Sequence, residues 1–181
     1  DPGDPWRADA ASLRALTDAR LAEGLQVTEH NPLPGVGGRA AVLRALGCAL
    51  EQAPDLFDKD TPRPGHLLDA LRANAAGGCV AAAEVLAAVL RGLGSIWPGR
   101  LSLGGVPLGD VWRHSAASGP GATAGLVPLH KLSQWLTYSL IEPLQAAGLG
   151  VGDLDALTGL AEYRNGGLLI DTGVLVPRHP E

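Results

Sequence analysis

At 181 residues, with 46% hydrophobic and 18% charged side chains, the chain can bury a sizeable core and is too apolar for a disordered segment. Its net charge of -5 is spread along the chain with no Lys/Arg cluster, which argues against a nucleic-acid face. No apolar run reaches the ~18–20 residues of a membrane-spanning helix, so no membrane partner is expected.

Cys48 and Cys79 are too few for a disulfide scaffold and form no CxxC pair. Both lie in Ala/Leu-rich stretches and read as small buried hydrophobes, which fits a reducing, cytoplasmic setting. The sequence contains no Met. Asp1 is therefore not expected to be the biological start, and residues 1–181 read as the C-terminal part of a single larger helical domain. The N-terminal part of that domain would be its natural partner.

After a turn-rich lead-in, Leu13, Leu16 and Leu21 among Arg and Asp predict an amphipathic helix over Asp9–Ala22. Asn31 to Gly38 carries two prolines and reads as a loop. A helix over Gly38–Gln52 follows, with Leu43, Leu46 and Leu50 on one stripe. Asp55, Asp58 and Asp60 lack the Gly and terminal Glu of a calcium loop and read as solvated loop charges. Further helices are predicted over Gly65–Ala75 and Gly78–Leu93, broken by Gly77-Gly78. Trp97 to His114 reads as a structured loop with a helical turn near Leu108–Trp112, its two tryptophans as plugs over a core edge or walls of a ligand site. Ser115–Gly125 reads as a loop or lid. Strand-like alternation of any length is missing, so the predicted class is all-α.

The chemistry concentrates in the last third. Pro128 suits the first turn of a helix running to about Ala147, with Leu129, Leu132, Leu136, Leu140 and Leu144 on one stripe. Lys131, Gln134, Trp135, Tyr138 and Glu142 gather on the opposite side, where an ordinary solvent face would not carry Trp and Tyr. That side is either a packing face or one wall of a polar pocket. Next, Glu162, Tyr163, Arg164 and Asn165 precede Gly166-Gly167. A guanidinium suits a carboxylate or phosphate, and glycines let backbone N–H groups approach an anion. Glu162 could serve as acid or base, or pair with Arg164 to fix a tight turn. Serine-nucleophile elbows, phosphate loops and histidine metal pairs are missing, so neither metal nor cofactor is expected.

Asn31-Pro-Leu-Pro-Gly with Gly38-Arg39, Ile96-Trp-Pro-Gly-Arg100, Leu108-Gly-Asp-Val-Trp112, Val127 to Tyr138 and Leu157 to Gly167 together resemble the uracil-catabolism protein family, long classed as a domain of unknown function. Members of that family are longer than this chain. The resemblance implies an enzyme that releases urea from a ribosylurea or its phosphate. A weaker likeness, over Pro128–Gln134 and Leu157–Arg164, is to the queuosine-salvage nucleotide N-ribosylhydrolases, which have a helical DNA-glycosylase-like fold. On that likeness their acid before Tyr-Arg becomes Glu162, while their second carboxylate falls near Ser139 and is unmatched.

The resulting expectation gives Glu162 the charge-stabilising or base role, with Asp171 as its possible substitute. Lys131 and Arg164 would hold the phosphate. Gln134, Tyr138 and Asn165 would hold sugar hydroxyls or urea, with Trp135 and Tyr163 beside them. The rival expectation is a non-catalytic ligand-binding or regulatory helical module of the same pathway.

Overall fold

The computed structural model describes residues 4, 6–97, 101–160 and 162–178, with the side chain of Tyr163 outside the described set. Pro98, Gly99 and Arg100 of the Trp-Pro-Gly-Arg motif also lie outside it.

The predicted first helix is two. Asp9 caps α1 (Ala10–Arg14) by accepting the Ser12 N–H at 2.7 Å, and Thr17 caps α2 (Asp18–Gly24) by accepting the Arg20 N–H. Thr17 sits in an extended conformation that interrupts the helix. The Ser12 N–H also holds the Asp9 carboxyl below the ordinary carboxylate value. α3 (Val36–Gln52) is a long helix packed on α1, and Gly47 is the point of closest approach. A Cβ there would lie 2.7 Å from the Ala10 carbonyl oxygen. α4 (Pro54–Phe57) and α5 (Leu67–Asn74) follow, the latter preceded by a 3-10 turn at Pro64–His66.

The all-α expectation is overturned here. β1 (Cys79–Ala81) replaces the predicted first turn of the next helix, and α6 (Ala82–Leu93) starts only after it, where the Ala81 N–H donates to the Glu84 carboxylate at 3.2 Å. Gly77 and Gly78, at φ 58° and 77°, turn the chain into that strand. β1 pairs in parallel with β6 (Gly150–Gly152), in the register Cys79 with Gly150. β2 (Ser102–Leu103) and β3 (Val106–Pro107) form a hairpin across Gly104-Gly105, both at positive φ as a two-residue primed turn requires. β4 (Val111–Arg113) pairs antiparallel with β5 (Leu126–Pro128), so the expected helical turn near Leu108–Trp112 is instead a bend at Gly109-Asp110 that leads into a strand. Pro128 ends a strand and does not open a helix. The helix it was expected to start is α7 (Lys131–Ala146), and α8 (Tyr163–Asp171) closes the series. Among the described residues the chain is thus helix-rich with three two-stranded sheets. Strands of two or three residues are too short to print a period of two in the sequence.

The core gathers Leu50 of α3, Phe57 of α4, Leu67 and Leu71 of α5, Val80 of β1, Val85 and Leu93 of α6, and Leu144 of α7. Leu136 and Leu140 pack against it, so with Leu144 three leucines of the predicted stripe seat α7 on the core, whereas Leu129 precedes the helix and Leu132 lines an open cavity. Trp97 plugs the same core. Both cysteines, expected to be buried, are exposed: Cys48 lies on α3, and Cys79 lies on a two-stranded sheet with the glycines of β6 as neighbours. Among the described residues no helix is long and apolar enough to cross a membrane.

Candidate functional site

A helix start needs acceptors for its first N–H groups. For α7 the acceptor comes from outside the helix. Asp110, just before β4, accepts the Lys131 N–H on Oδ2 at 2.7 Å, and its backbone carbonyl accepts the His130 N–H at 2.9 Å. Asp110 is only 5% exposed. Its Oδ1 accepts the indole N–H of Trp112 at 2.9 Å. One buried carboxylate therefore ties β4 to the positive end of α7. His130, at φ 46°, occupies the left-handed region to make this junction. Burial lowers its imidazole pKa below the ordinary histidine value, while the adjacent Asp110 pulls it the other way.

The second arm of the site is the segment after β6. Gln134 of α7, 4% exposed, accepts the Thr158 N–H on Oε1 at 3.0 Å and donates its amide to the Thr158 hydroxyl. Tyr138, one turn on, donates its hydroxyl to the Thr158 carbonyl at 3.3 Å. These two side chains grip one residue by its N–H, hydroxyl and carbonyl. Four residues later, Glu162 caps α8 by accepting the Arg164 N–H at 3.0 Å. Its carboxylate is half exposed and lies 3.9 Å from Lys131 Nζ, on a lysine that is mostly buried.

Between the arms lies an open cavity of about 690 Å³. Lys131 and Arg164 supply its cations, Asp110 and Glu162 its carboxylates, and Trp112, Trp135, Leu132 and Leu160 its apolar walls. The size suits a small-molecule ligand of nucleotide dimensions. Of the expected site residues, Lys131, Trp135, Glu162 and Arg164 meet here. Gln134 and Tyr138 are engaged with Thr158 away from the lining. Asn165 is exposed on α8, and Asp171 is exposed at its far end, about 13 Å of helix beyond Glu162. The Tyr163 side chain lies outside the described residues. Asp110 and Trp112 were not singled out as site residues. Both stand in the Leu108-Gly-Asp-Val-Trp112 motif that carries the family resemblance, where Trp112 reads as a core plug or a ligand wall and neither residue is assigned a role at the site. Among the described residues, no three His, Cys, Asp or Glu side chains group as a metal site.

The Gln134 clamp carries a prediction. Gln134→Leu removes the acceptor of a part-buried backbone N–H and both amide contacts, at a cost of about 1–3 kcal/mol. We expect a lower melting temperature and faster hydrogen exchange across residues 153–162. Unchanged exchange there would show that Thr158 is held by other means.

Comparison with known proteins extends this picture. The profile of the family described as "Protein of unknown function (DUF1688)" matches residues 1–181. The chain is 41% identical over 186 residues to "Uracil catabolism protein 4" of Lachancea kluyveri, a match covering 97% of this chain and 42% of that protein. It is 39% identical over 180 residues to "Protein urg3" of Schizosaccharomyces pombe, covering 98% of this chain and 41% of that protein. The chain thus spans about two fifths of the length of these curated relatives. No solved structure matches it.

Proposed function

We propose that this chain, which belongs to the DUF1688 family, contributes the active site of an N-ribosylhydrolase of uracil catabolism. The reaction is cleavage of the C–N bond of a ribosylurea, or of its 5′-phosphate, with release of urea. The observation that carries this reading is a nucleotide-sized cavity on which a half-exposed carboxylate, Glu162, sits with two cations, Lys131 and Arg164.

The chemistry follows from what those groups can do. As the bond from C1′ to nitrogen breaks, positive charge grows on the sugar, and a nearby carboxylate lowers the energy of that state. Water then adds its oxygen to C1′. One proton leaves the water for the Glu162 carboxylate, the departing urea nitrogen takes one from solvent water, and Glu162 returns its proton to solvent, so that no net proton is consumed. Arg164 presents a planar fork of donors to the phosphate, and Lys131 adds a second charge. Gln134 and Tyr138 act on the site through Thr158, by fixing the segment that ends at Glu162. The setting proposed is cytoplasmic, with a small molecule as the partner and neither nucleic acid nor membrane engaged.

The rival reading, a non-catalytic binding module, is favoured by the Lys131–Glu162 pair itself, since two groups facing each other can simply lock α7 to α8. Urea release separates the two. It is to be measured from ribosylurea and its 5′-phosphate, with this chain and the Lachancea kluyveri relative side by side. Release by either protein supports the hydrolase, and release by the relative alone means that further site residues lie outside the shared region. No urea from either substrate with either protein leaves the binding module.

A further inference from the structure

The link between α4 and α5 holds a cation that no described carboxylate neutralises. Phe57 closes α4, and its carbonyl accepts the Arg63 N–H at 3.1 Å and the His66 Nδ1–H at 2.9 Å. A carbonyl only accepts, so the His66 proton sits on Nδ1 and Nε2 presents a lone pair. Arg63 Nη2 donates to that lone pair at 2.8 Å. The half-buried guanidinium thus meets a neutral ring. Asp58 lies 3.9 Å from the other ring nitrogen, Nδ1, and spends its carboxylate on the Lys59 and Asp60 N–H groups. Arg63 Nε–H is fully buried and has no acceptor. Among the described residues Arg63 enters no ion pair. A guanidinium cannot shed its charge, and a buried donor left unbonded is costly, so the arrangement calls for an anion.

Arg63 stands between two cavities, of about 450 and 300 Å³, and lines both. Lys59 gives the larger one a second cation. Its carboxylates are mostly engaged. Glu51 gives both oxygens to Arg14 at 2.9 Å. The Ser12 N–H, with Arg7 adding less, holds the Asp9 carboxyl below its ordinary range at the cap of α1. Arg63 and Lys59 are left against Asp60, a surplus of positive charge. The volume suits a small molecule. A guanidinium fork matches a planar carboxylate in two parallel hydrogen bonds. A phosphate group carries about −1.5 to −2 near pH 7, too much for a cavity that already holds three carboxylates.

We propose that this face, between α1 and the α4–α5 link, is a binding site for a small free carboxylic acid, anchored by the Arg63 guanidinium with Lys59 as the second charge. It shares no lining residue with the cavity of α7 and α8. It is therefore a second site, and it stands whether or not the chain is a hydrolase.

The test is a titration of the whole chain with acetate, succinate and inorganic phosphate, followed by proton–nitrogen NMR at fixed pH and ionic strength. The backbone amides of residues 59–63 and the Arg63 Nε–H signal should shift saturably with both carboxylates. Phosphate should bind more weakly than either, and the amides of residues 131–135 should stay where they are. Arg63→Gln keeps a donor for His66 but removes the charge and the fork, and should weaken succinate by roughly ten- to a hundredfold. Arg63→Lys keeps the charge without the fork and should fall between. Lys59→Ala, at an exposed position, should cost about two- to fivefold. No saturable shift with either carboxylate at about 100 mM would overturn the proposal. So would phosphate bound as tightly as succinate, shifts confined to residues 131–135 and 162–164, or undiminished succinate affinity in Arg63→Gln. Should the Arg63 variants fold poorly, undiminished affinity in Lys59→Ala would overturn it as well. Urea release is not read, so a failed hydrolysis assay and a failed carboxylate titration remain distinct results.

Discussion

Glu162→Gln is expected to lower urea release by roughly 10²–10⁴-fold, the range that a positioned acid or base contributes. The substitution keeps the shape and removes the charge. Glutamine retains a carbonyl oxygen able to accept the Arg164 N–H, now at 3.0 Å, so the cap of α8 survives. The side chain is half exposed, and its neutralisation weakens only the 3.9 Å contact to the mostly buried Lys131, so stability should fall by no more than about 1–3 kcal/mol. The loss should fall on kcat more than on KM, since the carboxylate is assigned to the charge of the breaking bond and not to ground-state binding. Steady-state kinetics with a melting curve as control decide the matter. Activity within tenfold of the parent chain would take Glu162 out of the chemistry. A collapse in melting temperature would assign it to structure instead.

How far the sequence could be read follows from the range of the interactions involved. α3 and α7 carry leucine stripes and α6 buries Val85, Val89 and Leu93, and a helix advertises such a face every three or four residues. The parallel pair of β1 and β6 joins Cys79 to Gly150, and nothing local announces a partner so distant. The hairpin over Gly104-Gly105 is different. A Gly-Gly pair between short apolar runs is a turn signal with a known cause, and it passed as mere loop composition. At the cavity, Lys131, Trp135, Glu162 and Arg164 stood out because their chemistry exceeds what helix packing needs. Asp110 stayed hidden because the cap of α7 is supplied 21 residues upstream of the helix it serves. Gln134 and Tyr138 show the converse. Polar side chains on the face opposite the leucines were read as ligand contacts, and the structure spends their hydrogen bonds on Thr158.

Phe57→Ala is the stability counterpart, with an expected loss of about 3–5 kcal/mol. Phe57 ends α4 and is 1% exposed, in one cluster with Leu50, Leu71 and Leu93. Its ring is matched by a glycine: a Cβ at Gly92 would sit 2.8 Å from Phe57 Cε2 and from Leu56 Cδ1, so α6 has been brought down onto the ring as closely as a helix allows. Packing this tight lets little of the vacated space collapse, which places the cost toward the upper part of the range. A chain of this size should lose roughly 6–20 °C in melting temperature. The cavity should be spared at temperatures well below the transition. Its α7 residues lie in the first two turns, whereas the core holds that helix through Leu136, Leu140 and Leu144 farther along. A variant that melts early yet releases urea like the parent at lower temperature would place core and cavity in separate parts of α7. A variant that melts normally would mean that the Phe57 ring contributes far less than its burial implies. Gly92→Val approaches the same contact from the other side, by overfilling it, and should destabilise by about 1–3 kcal/mol or more.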